Sequence, residues 1–321
     1  MSADGAAAVT VIGEALIDFV PGDQPRSFVA LPGGSPFNVG VTLARLGLRT
    51  ALMARLADNP FGRILRERAM AEGLDLSAAP AAREPTTLAV VSLDEQARAS
   101  YDFYLQGTAD WQWTADETAR LPADTQVLHF GSLAAWTPPG DEPVLSLASR
   151  LRRRGEALVS YDPNVRPALL DGRDQGRRRV ERGVALAHLA KASAEDIDWM
   201  YPGMPGAEVA RRWLGLGVTT VIITDGADGA TAFTAGAPPV HRPGRPVTVA
   251  DTVGAGDAFT GGLIAALAER DLHRPARLAG CPAATLGAVL DDAISVAAIT
   301  CERPGADPPR RAELGPDWGR A

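Results

Sequence analysis

An α/β chain with a doubly wound, mostly parallel sheet is the fold class that this sequence predicts, and three observations predict it. Short β-branched runs alternate with longer helical patterns along most of the 321 residues. Apolar residues make up 46% of the chain, so a large core can be filled without staples. No low-complexity linker or internal repeat divides the sequence, so a single domain over 1–321 is expected.

Taken in order, residues 9–12 read as a buried first strand. Residues 38–46 place Val39, Leu43 and Leu46 on one helical stripe with Val41 and Ala44 beside it, and Gly47 ends the pattern. A second strand follows at 50–55 and a second helix at 61–72, closed by Gly73. Later strands are expected at 126–130, 157–161 and 218–224, with helices between them at roughly 144–153 and 206–214. Such repetition implies parallel strands covered by helices on both faces. Two stretches, 16–36 and 86–113, break the rhythm. Residues 86–93 read as a strand and 94–96 as a turn; 98–105 alternate again and carry Tyr101, Phe103 and Tyr104, which is a hairpin pattern. These excursions form either a small sheet projecting from the body or two ordinary edge hairpins. The stretch 303–321, rich in proline and arginine, reads as irregular.

Composition removes several classes of function. With 32 basic and 39 acidic side chains the net charge is −7, which argues against nucleic acid or anionic lipid as a partner. The first positive side chain is Arg26, and no uninterrupted apolar run reaches the roughly 18 residues of a membrane span. A soluble cytoplasmic protein is therefore expected. Cys281 and Cys301 cannot make a disulfide framework. Lys191 is the only lysine and lies in Leu-Ala-Lys-Ala-Ser, so there is no Walker-A loop. A dinucleotide fingerprint fails because Gly254-Ala255-Gly256 runs into Asp257-Ala258-Phe259. Four histidines and two separated cysteines do not suggest a dedicated zinc site. Gly33-Gly34-Ser35-Pro36-Phe37 lacks the final glycine of a nucleophile elbow.

The strongest local signal is DTVGAGDAFTGGLIAAL at 251–267. A strand at 246–250 and a helix at 258–267 would place Gly254, Ala255 and Gly256 at a helix N-terminus. Its unpaired amides and dipole suit an anion such as phosphate. Asp257 would then set a carboxylate beside a stabilised oxyanion, as phosphorylation of an alcohol requires. The plainer alternative is an acid that favours its own helix dipole. In PGGSPFNVGVTLARLG at 32–47, Asn38 falls in a first helical turn, where it can point into a cleft with Ser35. Asp18, Asp162, Asn164, Arg166, Thr224, Asp225 and Gly226 all follow expected strand ends, where ligands bind in doubly wound sheets.

Together these motifs resemble the ribokinase-like (phosphofructokinase B) carbohydrate kinases, and fructokinases within them. The resemblance rests on Gly-Gly-x-x-x-Asn at 33–38 continuing to Asp58-Asn59-Pro60-Phe61-Gly62, and on Gly-Ala-Gly-Asp at 254–257. Asp162-Pro163-Asn164-Val165-Arg166-Pro167 and Phe103-Tyr104 before Gly107-Thr108-Ala109-Asp110-Trp111 are fructokinase-like. The resemblance implies a ribokinase-like fold with a β lid over the sugar. It also implies transfer of the ATP γ-phosphoryl group to a primary hydroxyl of a furanose-type sugar, most simply fructose. Acceptors such as 2-keto-3-deoxygluconate, ribose or a riboside remain alternatives, and so does a non-catalytic sugar-binding regulator, although its hallmark would be loss of the base. Asp257 matches the catalytic base, and Gly254, Ala255 and Gly256 match the anion hole. Asp18, Gly33, Gly34 and Asn38 match sugar contacts, and Arg166 a residue near the sugar and γ-phosphate. Lys191, Thr224 and Gly226 match the nucleotide site, which Ser193 would join.

Magnesium and potassium are the implied ions. Where many relatives place Asn-x-x-Glu near the magnesium water, this chain has Ser193-Ala194-Glu195-Asp196, so Asp196, or Glu195, would serve. Asp251, Val253, Thr300, Arg303 and Gly305 align with a monovalent-cation loop; Pro309 replaces a serine there, and the Arg303 charge could substitute for the ion. A homodimer through the lid is the expected assembly.

Overall fold

Alternation of side chains along each strand assigns two cores to one sheet. In the computed structural model, which describes residues 7–22, 24, 26–93 and 99–320 (of 93 and 99–101 the backbone only), strands β1 (Ala8–Ile12), β4 (Arg49–Met53), β9 (Val127–Gly131), β10 (Leu158–Asp162), β11 (Leu189–Ser193) and β12 (Thr220–Thr224) run parallel. Two antiparallel strands, β13 (Ala230–Thr234) and β14 (Val240–Arg242), close the far edge. The order is β14-β13-β12-β11-β10-β9-β1-β4. Successive residues of one strand point to opposite faces. Val9, Val11, Val127 and Leu158 therefore enter a core with helices α1 (Ser35–Arg45), α2 (Pro60–Ala71), α8 (Ala255–Glu269) and α10 (Ala283–Cys301). Ile12, Leu128, Phe130 and Val159 enter the other, with α4 (Asp141–Arg154), α5 (Arg173–Val184), α6 (Ala194–Met200) and α7 (Gly206–Gly215). The short helices α3 (Ala115–Thr118) and α9 (Pro275–Ala279) complete the body.

The central helix α8 is buried all round from Ala258 to Leu267. It reaches α1 at Gly261, where a Cβ would come within 2.6 Å of Thr42 Cβ. Helix α10 is long and apolar enough to cross a membrane by length and composition, but its apolar face lies on α8. Its Asp292 pairs with the buried Arg270 at 2.8 Å.

Two excursions leave the body and pair with each other. Strands β2 (Leu16–Pro21), β3 (Phe28–Gly33), β7 (Leu88–Leu93) and β8 (Ala99–Tyr104) form a separate sheet in the order β3-β2-β7-β8, while a two-stranded ladder of β5 (Leu56–Ala57) and β6 (Ala81–Ala82) stays with the body. The projecting sheet is thus the correct alternative, and the pair of independent edge hairpins is not. The lid is narrower than 86–113: after Tyr104 the chain returns to the body, where Trp111 and Trp113 are buried beside Trp136. The turn expected at 94–96 lies outside the described residues. No strand forms at 246–250. Pro243 and Pro246 cannot donate to a ladder, and the amides of Ala250 and Asp251 both go to the Cys301 carbonyl.

At the lid's base, the Ala15 amide donates to Asp110 Oδ1 at 3.1 Å, and Arg55 donates to the Ala109 carbonyl at 2.7 Å while pairing with Glu84 and Glu117. Beside this junction Glu14 is buried, and the Ala134 amide donates to its carboxyl at 3.4 Å. Burial pushes Glu14 up to about 7, with the Asp110 charge adding to it, and burial likewise pushes Asp110 up to about 7. Both groups keep protons in the folded chain that the unfolded chain loses near pH 4, so each withdraws stability as pH rises from there to about 7, at about 1.4 kcal/mol per unit. Buried His129 and His188, held near 4 by desolvation, act in the opposite sense up to about pH 6.5, so the readable quantity is a difference between variants. Between pH 5 and pH 8, Glu14→Gln and Asp110→Asn should each gain several degrees of Tm relative to wild type. A difference in Tm that stays constant across this range would remove the assignment of neutral buried acids.

Candidate active site

Every parallel strand of the body ends at the same sheet edge, and the reading of a crevice there follows from chain geometry. The chain winds from β1 outward to β4 and then returns past β1 to β9 and on to β10, so the winding reverses between β1 and β9 and opens a cleft beyond their C-terminal ends. Into this cleft points the N-terminus of α8. Gly254 caps that helix at φ 74, in the left-handed region where glycine carries no Cβ penalty, and a Cβ there would strike Ala306 at 2.5 Å. The amides of Gly256 and Asp257 lie in the first turn, beyond reach of any intrahelical carbonyl, so they can face an anion.

Asp257 is gripped from α1, more than two hundred residues away in sequence. Ser35 Oγ donates to one carboxylate oxygen at 2.6 Å, and Asn38 Nδ2 donates to the other at 2.9 Å. Burial raises the Asp257 pKa; the two donors and Lys191 draw it down, and the Asp162 charge pushes it up. Each oxygen retains a lone pair that can accept a substrate proton. Opposite, Asp18 on β2 lies over Gly33, where a Cβ would fall 2.0 Å from its Oδ2. Desolvation pushes Asp18 up to about 6; Arg166 pulls it down and Asp257 pushes it further up. Gly34 begins α1 at φ 104, with the Glu14 carbonyl against it. The structure thus brings Asp18, Gly33, Gly34, Asn38, Arg166, Gly254, Ala255, Gly256 and Asp257 to one cleft, joined by Ser35.

Arg166 does not stand free at its rim. Its Nη1 donates to Asn164 Oδ1 at 2.8 Å, and Asn164 Nδ2 donates to Ser132 Oγ at 3.3 Å. Ser132 in turn hydrogen-bonds Glu14. Asn164 and Ser132 both hold positive φ, at 40 and 51, a strained backbone for non-glycine residues that clusters at functional sites.

The remaining predicted residues separate into two groups. Ser193 and Thr224 are register partners at the ends of β11 and β12, with Gly226 just beyond, a ledge suited to the distal part of a nucleotide. Lys191 is not on that ledge. It is buried on β11, paired with Asp162 at 2.9 Å, beneath Gly256. Asp196 is committed to structure: its oxygens accept the Ser193 and Val165 amides, closing a capping box on α6, while Glu195 is exposed. Among the described residues no cluster of three or more His, Cys, Asp or Glu is placed to hold a metal, so a magnesium ion here would be carried by phosphate and water.

Behind the anion hole, Asp251 accepts the Val253 amide at 3.0 Å and the Gly305 amide at 2.8 Å, clasping the two segments of the expected cation loop together. Thr300 lies in the last turn of α10, and its carbonyl accepts the Arg303 amide. One carboxylate among carbonyls, each with a second lone pair, fits a monovalent ion. The Arg303 guanidinium, expected as a possible substitute for that ion, is paired with Asp307 and Glu313. Glu14, Ser132 and Thr260 were not legible as site residues. Only Glu14, an acid directly after a strand, carried a sequence signal comparable to that of Asp18.

Comparison with known proteins supplies a family. Residues 6–312 match the family model described as pfkB family carbohydrate kinase. A fructokinase of Rhizobium leguminosarum bv. trifolii is 37% identical over 260 residues, 79% of this chain and 78% of that protein. The crystal structure of a Xylella fastidiosa fructokinase with bound ATP superposes with a TM-score of 0.84 at 28% identity, covering 93% of each chain. A Vibrio cholerae O395 fructokinase double mutant with bound fructose, ADP and potassium ion gives a TM-score of 0.81 at 28% identity over 94% of each chain. On the family match, the relatives and the cleft built around Asp257, this chain belongs to the pfkB family of carbohydrate kinases.

Proposed function

We propose that this chain transfers the γ-phosphoryl group of ATP to the primary hydroxyl of fructose. The observation that carries the reading is the Asp257 carboxylate, fixed by Ser35 and Asn38 one residue beyond the glycine turn of α8. The fructokinase relative at 37% identity and the fructose-bound neighbour support fructose as the acceptor.

In the proposed reaction the sugar lies between Asp18 and Asn38 with its primary hydroxyl against Asp257. Asp257 accepts the hydroxyl proton as the oxygen attacks the γ-phosphorus. The glycine turn of Gly254 to Gly256, through the free amides of Gly256 and Asp257 and with the α8 dipole, receives the charge on the transferring phosphoryl group. Arg166, already oriented by Asn164, reaches the same group from the opposite rim. Magnesium, when bound with ATP, would neutralise phosphate charge, carried by phosphate and water rather than by the expected Asp196, whose two oxygens already accept the Ser193 and Val165 amides. Desolvation makes Asp257 a stronger base, and the lid would exclude water that competes as acceptor. The chain would work as a soluble enzyme in the cytoplasm.

Sugar-dependent ADP release tests the reading. Across a panel of fructose, ribose, 2-keto-3-deoxygluconate and ribosides, fructose should give the highest kcat/KM. Asp257→Asn, which keeps the shape and both donors, should lower kcat by about 10²- to 10⁴-fold with little change in sugar or ATP affinity. Near-wild-type turnover in that variant would exclude Asp257 as the base.

Potassium would be held by Asp251 and the carbonyls of Val253, Thr300, Arg303 and Gly305, where it would brace the turn at Gly254 from behind. Initial rates should rise with potassium chloride when tetramethylammonium chloride holds ionic strength constant. A flat response, together with full activity of Asp251→Ala, would eliminate the ion.

Lid-to-lid dimerisation is the assembly we favour, because Phe28, Val29, Leu31 and Tyr104 leave apolar area exposed on the lid. Sedimentation should give a dimer that Phe28→Asp weakens; a monomer at all concentrations would refute it.

A further inference from the structure

Beneath the glycine turn lies a charged cluster that the proposed reaction does not by itself require. The Lys191 ammonium donates to Asp162 Oδ2 at 2.9 Å, with only 7% and 2% of the two side chains exposed. The same oxygen lies 3.1 Å from the Thr260 hydroxyl, which is also 3.0 Å from the Gly256 carbonyl one turn earlier on α8. A Cβ at Gly256 would come within 3.3 Å of Lys191 Nζ, so the ammonium packs directly against the turn. The other Asp162 oxygen accepts the Asn164 amide at 3.2 Å. One carboxylate therefore ties together β10, β11, α8 and the loop that ends in Arg166.

Stability alone does not account for this arrangement. Desolvating two charges offsets most of their attraction, and apolar residues of the same volume usually do as well. The residue type is also particular. In a chain whose other basic side chains are all arginine, the one lysine stands here, where a compact point charge fits and a planar fork would not. Burial works against the charged form of Lys191, but the carboxylates of Asp162, Asp196 and Asp257 outweigh it and raise its pKa, so the ammonium is retained.

We propose that Asp162 and Thr260 are positioning residues that fix the Lys191 ammonium under Gly256, so that the anion-hole turn meets the transferring phosphoryl group with a fixed positive charge behind it. The inference rests on the phosphoryl-transfer reading above and adds to it the residues that orient the charge. A preorganised charge of this kind acts most strongly where negative charge develops, in the transition state rather than on bound ATP. Thr260 links the charge to the turn mechanically: its hydroxyl can donate either to Asp162 or to the Gly256 carbonyl, and its position on α8 keeps the two in register.

The groups facing Asp257 are Asp18 from β2, Asp162 from β10, Lys191 from β11, and the neutral Ser35 and Asn38 from α1. The pair members bear on the base with opposite sign. Removing the Asp162 charge leaves the ammonium alone and moves Asp257 toward lower pKa, and removing the ammonium leaves Asp162 alone and moves it higher.

The test uses the full-length chain and the variants Thr260→Val, Asp162→Asn and Lys191→Met. ATP and fructose affinities are measured by calorimetry, and kcat and kcat/KM are followed from pH 5 to pH 9. Thr260→Val should lower kcat about tenfold, and Lys191→Met about 10²- to 10³-fold, as loss of an oxyanion donor does. Both should leave the two affinities within about threefold of wild type. The acid limb of kcat/KM should move to lower pH in Asp162→Asn and to higher pH in Lys191→Met. A cluster that only supports the fold would reduce Tm and leave both limbs where they were, and that result overturns the proposal. So does a Lys191→Met chain that loses ATP affinity while keeping kcat, because the ammonium would then be a ground-state nucleotide contact. If Asp162→Asn does not fold, Thr260→Val, close in shape to wild type, decides through kcat against affinity. A wild-type chain without sugar-dependent ADP release overturns the phosphoryl-transfer reading and this one with it; an active wild type with unmoved limbs overturns this one alone.

Discussion

The grip of Ser35 and Asn38 on the Asp257 carboxylate is the interaction on which the rest of the cleft depends. It joins the first turn of α1 to the first turn of α8, two helices formed at opposite ends of the chain. Hydrogen bonds of 2.6 and 2.9 Å tolerate little drift, so the helix axes must be set independently of the bonds themselves. That is the role of Gly261, which lets α8 meet α1 at Thr42 with no side chain between them, and of the surrounding core, which buries α8 on all sides. Packing determines the distance, and the two donors determine the rotamer of the base.

A second constraint is the sign of the charge around the cleft. Asp18, Asp162, Asp196 and Asp257 all face or underlie it, against Lys191 and Arg166. A carboxylate-rich pocket repels the phosphates of ATP unless positive charge is supplied at the point of transfer. In the proposed reaction the α8 dipole, the buried ammonium and Arg166 would supply it from three directions, and an ion held at the Asp251 clasp would add a fourth behind the turn. Burial raises the pKa of Asp257, and the Asp162 charge adds to it while Lys191 draws it down, so the same buried charges that bear on the phosphates also bear on the base.

Much of this was legible in the sequence, for identifiable reasons. Glycine pairs at 33–34 and at 254 and 256 mark backbone that must turn sharply before a helix, and the acid or amide a few residues on must then sit in the first turn. The strands of the body were visible because each is a short β-branched run with a helical pattern on either side. Position along the sheet edge was less visible. Lys191 carried a nucleotide-site expectation, yet its place in mid-strand, pointing under α8, depends on the register between β11 and its neighbours, which no local pattern encodes. Thr260 looked like one more small residue of an apolar helix, and its hydroxyl acquires meaning only from Asp162, almost a hundred residues away. The expected strand at 246–250 failed because pairing partners decide a strand, and the α10 terminus took those amides first.

Lid and body share more than a hinge. Asp18 enters the cleft from the lid strand β2 and Arg166 from the body, and Arg166 draws the Asp18 pKa down against the burial that raises it. Between them runs a line of polar contacts: Arg166 to Asn164, Asn164 to Ser132, Ser132 to Glu14, and Glu14 within electrostatic reach of Asp110, which holds the amide at the entry to β2. Two members of that line sit in strained left-handed backbone, which persists only where neighbours over-determine it. Burial raises the pKa of both acids at the lid end of that line, Glu14 and Asp110, to about 7. Placement of Arg166 and placement of the lid's first strand are therefore linked through hydrogen bonds at both ends and the Glu14–Asp110 electrostatic interaction between them, so in the proposed reaction a shift at either end would alter the geometry presented to the same hydroxyl.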